Sequence, residues 1–364
     1  MPTGGRSTLI QFLIEERRHH PEATGDLNGL IADVALACKA ISRKVAFGAL
    51  AGVLGDHGRE AGHVNVQGEK QKTLDVLSND IFLHANEWGG HVAAMASEEM
   101  DDIHLLPARY PRGKYLLVFD PLNGSGNLDI NFMTGTIFSV LRAPKGKKDI
   151  KAADFLQPGS QMAAAGFVLY GASTRLVLTT GNGVHGFMLD SHVGEFVLTH
   201  RNMMVPDDAN TFAINASNER FWEPPVRRYV QECMAGRTGP RGRDFGMRWV
   251  ASLIAEAYRV LVRGGVFLYP VDEKTKGQGG RLGLLYEANP IAFIMEQAGG
   301  GAITGRNRVL DVTPAELHQR APFIFGSKSE VDRIHEYHRD YVEGRDHNSY
   351  DLPLFGNRSL FRND

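Results

Sequence analysis

The stretch 97–142, SEEMDDIHLLPARYPRGKYLLVFDPLNGSGNLDINFMTGTIFSVLR, constrains the fold more than any other part of the chain. Its centre, 115–119 (YLLVF), is short and apolar with aromatic and branched members, which predicts a buried strand. The strand delivers Asp120 to its end, where Pro121 stops regular pairing and Gly124, Ser125 and Gly126 form a tight turn. Upstream, the apolar run 92–96 leads to the acidic pair Glu98 and Glu99. Hard cations such as Mg²⁺ take carboxylate and carbonyl oxygens, and backbone N–H groups of a Gly/Ser turn bind anions. A carboxylate at a strand end beside such a turn therefore suits a site that holds cations and phosphate together. An ordinary strand followed by a polar turn is the bland alternative, and the acid pair weighs against it.

Helices are expected before this stretch. Leu9, Phe12, Leu13 and Ile14 make one apolar face, and Thr8 and Gln11 have capping-box spacing. A second helix follows Thr24-Gly25-Asp26, with Leu27, Leu30, Ile31, Val34, Cys38, Ile41 and Val45 at intervals of three and four. The segment 64–83 enters a third, with Leu74, Leu77, Ile81 and Phe82 inward. Asp75 falls among these apolar residues; because a buried, unpaired carboxylate is costly, it caps something, faces water or works in a site.

After the central stretch come antiparallel-looking strands at 175–179, 184–189 and 195–198, with Asn182-Gly183 as a hairpin turn signal. Composition changes at 201–209 (RNMMVPDDA), which divides an N-terminal lobe (1–200) from a C-terminal one (201–345). The second lobe alternates: strand 211–215, helices 223–234 and 247–262, strand 266–269, helix 289–298 and strand 302–304. Such α/β alternation, joined to a helix-and-strand first half, fits stacked layers of helix and sheet. Residues 346–364 read as a loosely held tail.

A net charge of −2 with 43% apolar residues gives no reason to expect nucleic acid as a partner. No run approaches the roughly 20 apolar residues of a membrane span, so no membrane is expected either. Two cysteines, Cys38 and Cys233, cannot build a disulfide framework. A reducing cytoplasm is the natural compartment, with both thiols buried as small apolar groups.

The motifs SEE, DPLNGSGN and GTIFS, at their spacing here, resemble the metal signature of the class I fructose-1,6-bisphosphatases. These belong to the Mg²⁺-dependent, lithium-sensitive sugar phosphatase superfamily, which includes the inositol monophosphatases. The resemblance runs from about residue 8 to 337. It implies a five-layer αβαβα fold and a homo-oligomer, in all expectation a tetramer. It also implies a sugar bisphosphate substrate, and Mg²⁺ as cofactor with Mn²⁺ as substitute. The reaction it implies is hydrolysis of the 1-phosphate of fructose 1,6-bisphosphate, in gluconeogenesis or the Calvin cycle. Sedoheptulose-1,7-bisphosphatase activity, alone or in addition, and a non-catalytic sugar-phosphate- or AMP-binding relative are the rival readings.

By the same resemblance, Glu98, Asp120, the Leu122 carbonyl, Asn123 and Glu287 bind the ions, Asp75 and Glu99 help activate the attacking water, and Glu69 matches another acidic position of the catalytic site, where the family has Asp. The turn residues Asn123, Gly124, Ser125 and Gly126, with Asn215, Arg248, Tyr269 and Arg281, bind substrate. A guanidinium suits bidentate phosphate contact; Arg248, expected to open the 247–262 helix, matches a residue that reaches the neighbouring subunit's site in relatives. An AMP site would use Thr24, Gly25, Asp26, Leu27, Lys114, Tyr115 and Arg142. The chain departs from the family pattern in several places. Asn123 replaces an Asp, Gly126 a Ser, Trp249 and Asn218 each a Tyr, Arg281 a Lys and Gly283 an Arg. The changes at 123 and 283 remove one negative and one positive charge, so the site reads either as a compensated variant or as a crippled one.

Overall fold

The computed structural model describes residues 6–18, 25–51, 65, 71–147 and 149–345. Glu69, Thr24 and the expected tail 346–364 lie outside the described residues.

Three helices open the chain: α1 (Leu9–Arg18), α2 (Asp26–Phe47) and α3 (Thr73–Asn86). The expected capping box of α1 is present, since the Thr8 N–H donates to Gln11 Oε1 at 3.0 Å and the Gln11 N–H to Thr8 Oγ1 at 3.3 Å. Eight strands follow: β1 (Val92–Ser97), β2 (His104–Leu105), β3 (Tyr115–Asn123), β4 (Thr134–Arg142), β5 (Ala164–Tyr170), β6 (Arg175–Thr179), β7 (His185–Asp190) and β8 (Glu195–His200). They form one sheet in the order β2-β1-β3-β4-β5-β6-β7-β8. Only β1 and β3 run parallel; every other neighbour pair is antiparallel.

In β3, successive side chains point to opposite faces. Leu117 and Phe119 join Phe12, Ile31, Val34, Cys38 and Phe82 under the first three helices. Leu116 and Val118 join Ile254, Val260, Ile291 and Ile294 on the other side. These last belong to α5 (Leu253–Arg263) and α6 (Asn289–Gln297), which follow α4 (Pro224–Ala235) in the chain and precede α7 (Lys328–Val342).

A second sheet lies beyond α5 and α6. Its strands β9 (Thr211–Ala213), β10 (Gly246–Met247), β11 (Val266–Tyr269), β13 (Gly301–Ile303) and β15 (Phe323–Gly326) are ordered β10-β9-β11-β15-β13, and a ribbon pairs β12 (Leu282–Gly283) with β14 (Arg320–Ala321). Ala213, Phe267, Ala302 and Phe325 face α5 and α6, whereas Phe212, Val266, Leu268 and Ile324 face α4 and α7. The layers are therefore α1–α3, sheet, α5 and α6, sheet, α4 and α7. This is the expected αβαβα stack.

Three local expectations need correction. The strand through 115–119 does not stop at Asp120 but runs to Asn123. Its pairing with β4 shifts between Asp120 and Asn123, so the missing Pro121 N–H costs no ladder bond, and the Pro121 carbonyl accepts the Thr136 hydroxyl at 2.8 Å. Arg248 does not open a helix. Met247 still pairs with Phe212, the Arg248 N–H donates to the Phe212 carbonyl, and Ala251 at φ 51° breaks the run before Ser252 caps α5. Asn215 lies past the end of its strand, where its side chain accepts the Ser217 N–H at 3.2 Å and the Ser217 hydroxyl at 2.7 Å. Cys38 and Cys233 are free and buried as expected; loss of hydration pushes each thiol up to about 12.

Candidate active site

Because β1 and β3 are parallel neighbours, their C-terminal ends share one edge. Ligand sites of open α/β sheets gather at such ends. Ser97 pairs with Phe119, and the Glu98 N–H donates to the Phe119 carbonyl at 3.1 Å, which brings Glu98 beside Asp120. Glu287 arrives from far along the chain on a π-helical turn, Leu284–Ala288, that leads into α6. Such widened turns often mark functional sites.

Asp120, Glu98 and Glu287 are all buried, with Asp120 only 1% exposed. Burial first, then the negative charge of Asp120, pushes the Glu98 carboxyl well above the usual carboxylate range. Burial and Glu287 do the same to Asp120. Asn123 lies between them: its Nδ2 donates to Asp120 Oδ2 and to Glu287 Oε1, each at 2.9 Å. The other Glu287 oxygen accepts the Gly283 N–H at 2.6 Å. Among the described residues no three acidic, His or Cys side chains converge on one point as they stand. The donors are nonetheless the hard oxygens that Mg²⁺ prefers, and crowded buried carboxylates fit a cation in chemistry.

These acids line one wall of a cavity of about 330 Å³. Leu122, Asn123, Gly124 and Ser125 form its floor, and Asn215, Tyr269 and Arg281 line it with the carboxylates. Gly124 adopts φ 76°, a left-handed conformation that suits glycine and lets the turn close. Asp75 is both cap and wall. Its Oδ2 accepts the Lys72 N–H at 2.6 Å at the start of α3, while the side chain lines the cavity. Glu99 Oε2 accepts Gln71 Nε2 at 2.6 Å.

Two expected substrate residues are not in this cavity. Gly126 is exposed outside it, and Arg248 is exposed, its guanidinium donating at 3.4 Å to the Met247 carbonyl. Of the expected AMP residues, Gly25 at φ 86° opens α2, and Asp26 pairs with Lys114 at 2.7 Å. Leu27 packs against the first core, Tyr115 is buried in it, and Arg142 stands exposed opposite Tyr115 in the β4 register.

Sequence reasoning missed Gln71, Ala251 and Ser252, which also line the cavity. Ser252 was findable as a helix cap before the apolar pair Leu253-Ile254. The turn that carries it is locked in place: buried Glu256 accepts the Val250 N–H at 3.3 Å and Arg259 Nε at 2.6 Å, and Asn127 Nδ2 donates to the Ala251 carbonyl at 3.0 Å.

The layered α/β fold and the acid cluster at parallel strand ends agree with the sugar phosphatase resemblance of the sequence, a phosphoric monoester hydrolase class. Residues 7–201 match the family model "Fructose-1-6-bisphosphatase, N-terminal domain", and residues 205–339 match "Fructose-1-6-bisphosphatase, C-terminal domain". The chain is 62% identical over 361 residues to fructose-1,6-bisphosphatase class 1 3 of Methylibium petroleiphilum, with 99% of each chain covered. It is 60% identical over 362 residues to fructose-1,6-bisphosphatase class 1 of Hydrogenophilus thermoluteolus, with 98% of each covered. The crystal structure of Leishmania major fructose-1,6-bisphosphatase in holo form superposes with a TM-score of 0.84 at 34% identity, covering 92% of this chain and 99% of that one. The chain belongs to the fructose-1,6-bisphosphatase family.

Proposed function

We propose that the chain hydrolyses the 1-phosphate of fructose 1,6-bisphosphate, releasing fructose 6-phosphate and phosphate. The observation that carries this reading is one cavity lined both by the buried carboxylates and by Asn215, Tyr269 and Arg281. Glu98, Asp120, the Leu122 carbonyl, Asn123 and Glu287 would hold Mg²⁺, or Mn²⁺ in its place. When bound, the cation supplies positive charge to the phosphate and the leaving oxygen. Asp75 and Glu99 accept the proton of the attacking water. The backbone amides at Gly124 and Ser125 orient the phosphate, and Arg281 with Tyr269 and Asn215 grips the rest of the substrate.

The same reading puts the enzyme in the cytoplasm, in gluconeogenesis or the Calvin cycle, as a homotetramer. The exposed Arg248 is its contribution to a neighbouring subunit's site. AMP would act at the Gly25–Leu27 turn beside Lys114, where a helix N-terminus and a cation meet one phosphate.

Phosphate release from fructose 1,6-bisphosphate, with Mg²⁺ and with excess EDTA, tests the assignment. Wild type should be active only with the cation, and Glu98→Gln should be inactive. Full activity of that variant, or of wild type in EDTA, would overturn it. Sedimentation tests the assembly, since an active monomer would remove the role given to Arg248.

A further inference from the structure

One irregularity of the central sheet lies directly beside the carboxylates. Asp120 pairs with Ile137 and Asn123 with Gly135, so Pro121 and Leu122 on β3 stand opposite the single residue Thr136 on β4. Two residues against one is a β-bulge, a device that re-aims neighbouring side chains and recurs next to active sites. The bulge is buried along β3, and Thr136 is 0% exposed. Its hydroxyl donates to the Pro121 carbonyl at 2.8 Å.

That carbonyl and the Leu122 N–H belong to one planar peptide unit. The Leu122 N–H donates to Asp120 Oδ1 at 3.0 Å, while Asn123 Nδ2 donates to Asp120 Oδ2 at 2.9 Å. Thr136 therefore holds one edge of a rigid plane whose other edge holds Asp120. The direction of the bonds behind it is fixed as well. A threonine hydroxyl has one proton, and here it goes to Pro121. At the 2.7 Å contact between the Thr136 and Tyr170 hydroxyls, Tyr170 must then be the donor. The Tyr170 oxygen is left to accept, and the buried Cys38 thiol of α2 is its hydrogen-bonding neighbour. A one-way chain of hydrogen bonds thus runs from α2 through the sheet to the bulge.

We propose that Thr136 is a positioning residue for the cation site. Its hydroxyl, oriented by Tyr170, fixes the Pro121–Leu122 peptide so that Asp120 presents its carboxylate to the ion. Thr136 does not line the cavity and acts only through that peptide. The inference rests on the reading of Asp120 as a cation ligand. Ligands held by locked neighbours bind without first having to be ordered, so the loss of one such neighbour weakens metal binding.

The test is calorimetric titration of Mn²⁺ into the substrate-free enzyme, using wild type, Thr136→Val, Thr136→Ala, Thr136→Ser and Tyr229→Phe. The last is a control: it loses an equally buried hydrogen bond, from Tyr229 to Glu330 at 2.7 Å, between α4 and α7 and away from the cavity. Removal of one hydrogen bond should weaken Mn²⁺ about three- to tenfold in Thr136→Val and in Thr136→Ala. Thr136→Ser keeps the hydroxyl and should stay within about twofold of wild type, as should Tyr229→Phe. The Mg²⁺ concentration for half-maximal phosphate release should rise in parallel in the valine and alanine variants alone. If one of these two does not fold, the other decides. Wild-type Mn²⁺ affinity without the hydroxyl, or an equal loss in Thr136→Ser or Tyr229→Phe, would overturn the assignment. A wild type that binds no Mn²⁺ would instead remove the cation reading, and the positioning role with it.

Discussion

Asn123 Nδ2 lies 2.9 Å from Glu287 Oε1, across 164 residues of sequence. The Gly283 N–H takes the other oxygen of the same carboxylate. The two positions where the chain departs most from the family's charge pattern thus meet on one side chain. At 283 there is also no room for a side chain in this arrangement, because a Cβ would stand 2.0 Å from the Tyr286 ring.

Asn123→Asp should change how the site depends on its cation. The substitution replaces two hydrogen-bond donors by another buried carboxylate, so in EDTA the variant should lose about 2 kcal/mol of stability. With Mg²⁺ the added charge should lower the concentration needed for half-maximal activity. Gly283→Arg alone should destabilise, since Tyr286 must move. Thermal unfolding and Mg²⁺ titration of both variants and the double variant would show the coupling as non-additivity. Additive effects would mean the two changes are unrelated.

The cap observed at Asp75 and the proton-accepting role proposed for it can be separated by chemistry. Asp75→Asn keeps an oxygen for the Lys72 N–H, so stability should stay within about 0.5 kcal/mol of wild type. Turnover should fall by about 10²-fold or more, because the amide accepts no proton from water. Asp75→Ala should lose the cap as well, at about 1 kcal/mol. Equal turnover in wild type and Asp75→Asn would remove Asp75 from the proton path.

Much of this site was legible in sequence because its core is local: Glu98, Glu99, Asp120 and the turn after it sit within one stretch. The αβαβα order came from family resemblance, and a short continuous apolar run, YLLVF, gave the buried strand at its centre. Tertiary pairings were not legible. Nothing local says that Asn123 and Glu287 touch, or that the Tyr170 hydroxyl meets that of Thr136. The helix start was misplaced at 247 because the apolar pair Trp249-Val250 continues the helical pattern, while the break depends on Ala251 in a left-handed conformation usually marked by glycine. Pro121 misled in the opposite direction, since an irregular register lets the strand pass through it.

That break at Ala251 predicts a gain of stability on substitution. An alanine at φ 51° costs about 1 kcal/mol that glycine does not. Ala251→Gly should therefore raise the unfolding midpoint, even though glycine adds freedom to the unfolded chain. Asn127→Ala should act the other way, by releasing the Ala251 carbonyl. A lower midpoint for Ala251→Gly in thermal unfolding would mean that the turn is not strained.

Two buried histidines give the fold an acid limit away from the site. His338 is 2% exposed, with Nδ1 at 2.9 Å from the Ile334 carbonyl, and Glu223, Arg306 and His335 around it. His185 packs 4.5 Å from the Phe12 ring between α1 and the sheet, with Glu16 and Arg201 nearby. Burial pulls both imidazoles below their ordinary value. The unfolded chain therefore takes up these protons at a higher pH than the folded one. The stability from keeping both rings neutral is fully present above the ordinary histidine pKa of about 6.5. It is lost as pH falls from there through the lower folded values, at up to about 1.4 kcal/mol per pH unit for each ring. Unfolding midpoints should drop between about pH 6.5 and 5, and His338→Gln should flatten part of that slope by removing one titrating ring. An unaltered slope in that variant would show that His338 contributes nothing to the acid limit.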